Sequence, residues 1–302
     1  MHPTTQPSPS PSKKLGRGDL GAFPNALSQF VFTRTYLRWR DEDGRRETKI
    51  EAVDRYIKEN SNVPPHITHE VRQAILKMDV MPSMRALWSA GKAASRDNTM
   101  VYNCSFIPMD SLRSFSELLY ILMMGTGAGY SVERKFVGNL PMVRERAKET
   151  VSHTIPDSTT GWADAVFVGL THMWKGHTVE FDYSQIRAEG ARLTTKGGRA
   201  SGPGPLQSLL SFCQDTIDGA SGRLLTPLEV SDIACMIGEI VMAGGVRRAA
   251  LICFSDPDDE EMRHAKDWSR GSFPECRYMA NFSGFWESKP PRDVFDSEWE
   301  AL

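Results

Sequence analysis

No apolar run in the 302 residues approaches the roughly 20 that a membrane-spanning helix requires. The longest, Leu118–Met124, is interrupted by Tyr120. The amino-terminal MHPTTQPSPSPSKK has no apolar centre to serve as a secretion signal and reads as a disordered Pro/Ser tail. Cysteine is scarce. Cys104, Cys213, Cys235, Cys253 and Cys276 are five, widely spaced, with no Cys-x-x-Cys pair. An odd, scattered set argues against a disulfide framework and against a structural zinc site, and it points to a reducing cytosol. Neither sign of charge dominates: 36 basic against 38 acidic residues give a net charge of −2. Nothing advertises a nucleic-acid or membrane partner. His172 and His177 lack the intervening Glu of a metalloprotease and are read as non-ligands, so no metal site is expected. Gly-x-Ser-x-Gly and Walker motifs are absent from the sequence.

What is present is ordinary globular composition, 40% hydrophobic and 25% charged. Residues 30–39 alternate loosely, as a strand would, and residues 47–60 and 68–79 have helical periodicity with Pro64-Pro65 between them. A short strand is expected at 101–107. Ser114-x-x-Glu117 has the form of a capping box opening a buried helix to Met124. GTGAG (125–129) reads as a loop before a strand at 130–135, with a further helix at 158–175 and a strand at 178–183. Leu206, Leu209, Leu210, Cys213 and Ile217 share one helical face, and Thr226-Pro227-Leu228-Glu229 opens a second helix with a capping box. A strand at 249–254 and a helix from 294 complete the chain. Alternating helices and strands favour an α/β fold with parallel strands.

Three glycine loops and one cysteine are the chemical candidates. GTGAG follows a helix and precedes a strand, so it is not a dinucleotide fingerprint; a tight turn and a ligand-contacting loop are both open readings. KGGRASGPGP (196–205) sets Lys196 and Arg199 among glycines, and AGGVRRAA (243–250) sets Arg247 and Arg248 behind a Gly pair. Both suit anion contact, and each alone also suits a solvated loop. Cys213 and Cys253 lie in apolar patterns and read as core. Cys104, between Asn103 and Ser105, is the best candidate for a redox thiol, although its local sequence alone favours a buried structural cysteine.

Taken in order, MPSMRALWSAG (81–91), YNCSFIPMDS (102–111), LYILMMGTGAGYSVER (119–134), IRAEGARLTTKGGRASGPGPL (186–206), EIVMAGGVRRAALICFSDPDDEEMRHAK (239–266) and RYMANFSGFWESKP (277–290) resemble the class II ribonucleoside-triphosphate reductases, which depend on adenosylcobalamin. The resemblance covers nearly everything from about residue 20 onward.

It implies a disordered tail (1–20), a mainly helical amino-terminal region (21–95), and about the first half of a ten-stranded α/β barrel (96–302). It implies cobalamin-initiated reduction of ribonucleoside triphosphates to 2′-deoxyribonucleotides, with most cobalamin contacts outside this chain. Cys104 would be one of two thiols reducing the substrate. Met81, Ser83, Asn103, Ser105, Gly127 and Gly129 would line the substrate site. Asp110, Lys196, Arg199, Arg247 and Arg248 would lie where a deoxynucleotide effector is read. A thioredoxin-like reductant, and a second polypeptide bearing the carboxy-terminal half, are the partners that the resemblance implies. In relatives the radical-bearing cysteine, the second reducing cysteine and the shuttle cysteines lie beyond the segment matching Leu302, so this polypeptide alone is expected to be inactive. A non-catalytic deoxynucleotide-binding regulatory module is the alternative expectation. One departure from the pattern is Phe282, where relatives carry a second Asn.

Overall fold

The computed structural model describes residues 23–59, 63–191, 199–243 and 250–301. The chain divides into two compact units, Met1–Tyr102 and Asn103–Leu302.

The first unit is mainly helical. It carries α1 (Ala26–Thr35), a small hairpin of β1 (Trp39–Arg40) and β2 (Arg45–Arg46), then α2 (Lys49–Glu59), α3 (Thr68–Lys77), α4 (Met84–Ser89) and α5 (Lys92–Arg96). The strand expected at 30–39 is instead mostly α1. Asn25 caps it, its Oδ1 accepting from the Ser28 amide at 2.8 Å. Phe32 then stacks at helical spacing on Tyr36, with 5.0 Å between ring centroids. Only Trp39 and Arg40 remain extended. Phe32, Leu37, Ala52 and Leu87 form the small core of this unit.

That core is locked by ions. Arg55 donates from Nε and Nη2 to the two carboxylate oxygens of Glu47 at 2.9 and 3.0 Å, and from Nη1 to the carbonyls of Leu87 and Ala90 at 3.0 and 2.9 Å. It thereby supplies donors that the last carbonyls of α4 would otherwise lack. Glu47 also accepts from the Arg38 amide at 3.0 Å.

The second unit contains β3 (Cys104–Pro108), α6 (Leu112–Met123), β4 (Gly127–Ser131), α7 (Arg134–Val137), β5 (Thr150–Thr154), α8 (Thr159–Trp174), β6 (Thr178–Asp182), α9 (Gly204–Gly219), α10 (Pro227–Ala243), β7 (Leu251–Ser255), α11 (Glu260–Arg263), β8 (Ala280–Gly284) and α12 (Arg292–Ala301). Strands β3-β4-β7-β8 form one four-stranded sheet in that order, parallel throughout; β5 and β6 make a separate parallel pair. The fold is therefore mixed α/β with a parallel sheet.

Helix α9 buries the face read from its periodicity: Leu206, Leu209, Leu210, Cys213 and Ile217 are each at most 2% exposed. Burying its Leu and Ile side chains stabilises by about 1.5–3 kcal/mol apiece. The capping box of α10 forms reciprocally, with Thr226 N donating to Glu229 Oε2 at 2.9 Å and Glu229 N to Thr226 Oγ1 at 3.3 Å. The box expected at Ser114 does not form. Helix α6 starts earlier, at Leu112 behind Ser111, and Ser114 Oγ instead meets Ser111 Oγ at 3.0 Å and Asp110 Oδ1 at 3.2 Å. Among the described residues no helix is long and apolar enough to cross a membrane.

Candidate active site: an open sheet face beside Cys104

Strand residues alternate between the two faces of a sheet, and here the faces differ sharply. On one face Ile107, Ala128, Tyr130, Leu251, Cys253 and Ala280 belong to the main hydrophobic core. Tyr130 is fully buried there, its hydroxyl 2.9 Å from Ser231 Oγ and 3.4 Å from Cys235 Sγ, and burial pushes its pKa well up. On the other face Phe106 and Ile252 are 57% and 42% exposed, and Cys104 and Asn281 are exposed beside them.

The register aligns this open face in rows. Cys104 pairs with Gly127, and Phe106 with Gly129, which pairs on its other side with Ile252. Because β4 places glycine at both open positions, the floor next to the thiol is backbone. A Cβ on Gly127 would meet nothing closer than Ala250 at 3.5 Å, whereas one on Gly129 would press on Phe254 at 3.3 Å and Phe106 at 3.4 Å. The Phe106 and Phe254 rings, 6.2 Å apart, thus flank a glycine gap one row from Cys104. Backbone bonds fix the edge: the Gly127 amide donates to the Asn103 carbonyl at 2.9 Å, and Ser105 Oγ donates to the Gly127 carbonyl at 3.1 Å. An exposed thiol above a backbone floor lets a substrate carbon skeleton approach sulfur closely. This is the chemistry that Cys104, Gly127 and Gly129 can support together; Ser105, one residue along β3, pairs with Ala128 and turns its side chain to the other face.

GTGAG is therefore neither wholly a turn nor wholly a loop. Gly125 adopts φ +82°, the left-handed turn conformation that glycine tolerates, while Gly127 to Gly129 are already strand. The expected strand at 130–135 starts and ends earlier, and α7 takes its last residues.

The other four cysteines lie in the core. Burial pushes the thiols of Cys213, Cys253 and Cys276 up to about 12 and that of Cys235 to about 11, so none is a thiolate at neutral pH. All five are free. Cys253 sits on the covered face of β7 and Cys104 on the open face of β3, an orientation that forbids a disulfide between them. The reading of Cys104 as a buried structural cysteine is overturned, since it is the exposed member of the five.

The remaining predicted residues are dispersed. Met81 and Ser83 belong to the first unit, where Ser83 caps α4 by accepting from the Ala86 amide at 3.1 Å and Met81 is 40% exposed. Asp110 follows the carboxyl end of β3, six residues from Cys104, and accepts from Ser114. Arg199 is exposed and donates to the Gly190 carbonyl at 2.9 Å. Lys196, Arg247 and Arg248 lie outside the described residues. Sequence reasoning missed Phe106, Phe254 and Asn281, which belong to the same open face; the alternation of β3 and β7 carried that signal.

A cavity of about 680 Å³ opens beside α10, but ion pairs wall it: Arg223 with Glu229 at 2.6 Å, and Arg277 with Asp232 at 2.6 and 2.7 Å. Burial raises the Asp232 carboxyl and the Arg277 contact only partly offsets this. Such a charged, internally neutralised cleft does not fit a corrin ring, and among the described residues no group of three or more His, Cys, Asp or Glu is arranged for a metal.

Residues 17–92 match the family model of the ribonucleotide reductase alpha domain. An adenosylcobalamin-dependent ribonucleoside-triphosphate reductase of Euglena gracilis is 28% identical over 274 residues, covering 81% of this chain and 37% of that protein. One of Lactobacillus leichmannii is 27% identical over 307 residues, covering 78% and 42%. A crystal structure of a B12-dependent, class II ribonucleotide reductase superposes with a TM-score of 0.71 at 24% identity, over 85% of this chain and 45% of that one. This chain is similar to adenosylcobalamin-dependent ribonucleoside-triphosphate reductases and shares the fold of a class II ribonucleotide reductase. It spans about two fifths of the length of the curated relatives it matches, and its four-stranded parallel sheet fits part of the barrel that the resemblance implied.

Proposed function

We propose that this chain carries the thiol-bearing side of an adenosylcobalamin-dependent ribonucleoside-triphosphate reductase. The observation that carries the reading is Cys104: an exposed thiol on a glycine-floored sheet face, while the other four cysteines are buried and held protonated. In the reaction the ribose 2′-hydroxyl leaves as water, and two thiols are oxidised to a disulfide, supplying two electrons and two protons. Cys104 is one of that pair. The second thiol comes from outside this chain, because the other four cysteines lie in the covered core. Gly127 and Gly129 floor the sulfur's surroundings, and Asn103 and Ser105 flank it in the chain.

Adenosylcobalamin, when bound, supplies the initiating radical. The described residues build no corrin site of their own. A deoxynucleotide effector is read by Asp110 with Lys196, Arg199, Arg247 and Arg248, and its coupling to substrate is reciprocal. A thioredoxin-like dithiol protein in the cytosol re-reduces the pair.

The test is reduction of ribonucleoside triphosphates with adenosylcobalamin and a dithiol. It is run on this chain alone, and then mixed with the segment that follows the matched region in a relative. Activity in the mixture that Cys104→Ser abolishes supports the reading. Folded proteins with no activity in either arm, or activity that survives Cys104→Ser, would refute it.

A further inference from the structure

Helix α8 closes on Gly176, which has φ +79°. The Gly176 amide donates to the Met173 carbonyl at 2.8 Å, and the His177 amide to the His172 carbonyl at 3.0 Å. This left-handed glycine closure sets the side chain that follows the glycine against one in the last helical turn, commonly as an apolar contact. Here both side chains are histidines. They meet through the same atom: Nδ1 of His172 lies 3.2 Å from Nδ1 of His177, with the ring planes tilted by 36°.

A carboxylate stands at the other end of the second ring. His177 Nε2 is 3.4 Å from Glu149 Oε2, and the His177 side chain is 15% exposed. Strand pairing holds the two together, since Glu149 precedes β5 as His177 precedes β6, and the Thr178 amide donates to the Glu149 carbonyl at 2.9 Å. A carboxylate at Nε2 keeps the proton there and leaves the Nδ1 lone pair of His177 facing His172. When His172 carries its proton on Nδ1, it donates to that lone pair. When the proton moves to Nε2, the two lone pairs converge and the net charge is unchanged. Burial, then Lys175 and His177, lowers the His172 pKa; Glu149 opposes this and His153 adds to it, so the ring is neutral at about pH 7.5.

We infer that His172 and His177 chelate a divalent transition-metal ion of the imidazole-preferring class, Zn²⁺ or Cu²⁺, through their Nδ1 atoms, with Glu149 positioning the His177 ring. Metal–nitrogen bonds of about 2.0–2.1 Å that span the 3.2 Å separation meet at roughly 100–106°, close to tetrahedral. The two nitrogens fill half of a four-coordinate shell and water fills the rest. Mg²⁺, which takes oxygen ligands, does not suit the pair. The spacing lacks the Glu of a metalloprotease, but a chelate across a helix end needs none. The ion ties the end of α8 to the start of β6. The inference is independent of the reductase reading, because its readout is binding and not turnover.

The test is titration of the full chain with Zn²⁺ at about pH 7.5, followed by long-range ¹H–¹⁵N NMR of the imidazole nitrogens, with Mg²⁺ as the control. Cys104→Ser is included so that the exposed thiol does not compete for zinc. Before zinc, His177 should be protonated on Nε2 and His172 on Nδ1; with zinc, both should be protonated on Nε2 and metal-bound at Nδ1. Signals from the two rings that ignore zinc, or that respond equally to Mg²⁺, overturn the proposal, as does metal bound at Nε2 of either ring. This readout needs no substitution at the site. In His172→Gln the remaining His177 signal, and in His177→Gln the remaining His172 signal, should need at least tenfold more zinc to move. Glu149→Gln should need on the order of tenfold more. An unchanged zinc requirement in any of the three variants overturns the proposal.

Discussion

Replacing Gly127 with Ala separates stability from function at the open face. Gly127 has a backbone conformation that any residue adopts, for it is not among the left-handed glycines. Its new methyl would meet Ala250 at 3.5 Å and the Asn103 carbonyl at 3.6 Å, ordinary van der Waals contacts. Removing a strand glycine also lowers the entropy of the unfolded chain, so the variant should be more stable by about 0.4–1 kcal/mol. The same methyl rises from the floor beside Cys104, where the register aligns the two residues. A substrate displaced by about an ångström from sulfur reacts on the order of 10²-fold more slowly. Urea unfolding followed by circular dichroism gives the first quantity, and turnover in the complemented reductase gives the second. Destabilisation beyond about 1 kcal/mol would refute the packing, and unchanged turnover would refute the placement of substrate over this floor. Gly176→Ala is the contrasting control. Gly176 has φ +79° and a Cβ there would collide with the Glu145 carbonyl, so roughly 2–5 kcal/mol should be lost.

Three further outcomes follow from the ion pairs and caps. Glu47→Leu strands the buried Arg55 charge and should destabilise the first unit by about 3–5 kcal/mol in chemical denaturation, whereas a loss under about 1 kcal/mol would mean the pair is effectively solvated. The hydrogen bond from Arg45 holds the Glu51 carboxyl down to about 2, against 4.5 for the free group. A depressed folded-state pKa contributes stability above 4.5 that is lost as pH falls from there towards 2. The advantage of wild type over Glu51→Gln should shrink across that window, and a pH-independent difference would contradict the pairing. Thr226→Ala removes one half of the α10 capping box and should cost about 1 kcal/mol, measured by the same unfolding assay; no change would mean the cap is idle.

Where a single local rule decides an element, the sequence announced it. The buried stripe of α9 and the Thr226–Glu229 box follow from spacing alone, and both are present as read. The readings that failed had close competitors. Residues 30–39 alternate like a strand, but a cap at Asn25 and the Phe32–Tyr36 contact favour a helix. Ser114 has capping chemistry, yet the chain turns into α6 three residues earlier, behind Ser111, and Ser114 bonds Asp110 instead. Cys104 shows why sites are harder than elements. Its neighbours Asn103 and Ser105 say nothing of exposure, which depends on the pairing of β3 with the glycines of β4.

Alkylation mapping tests the central claim most directly. Native chain treated with iodoacetamide near neutral pH, then digested and analysed by mass spectrometry, should carry one label, on Cys104, while the four core thiols react only after unfolding. A native label on Cys213, Cys235, Cys253 or Cys276 at a comparable rate, or an unreactive Cys104, would contradict an open thiol face as the working surface of this protein.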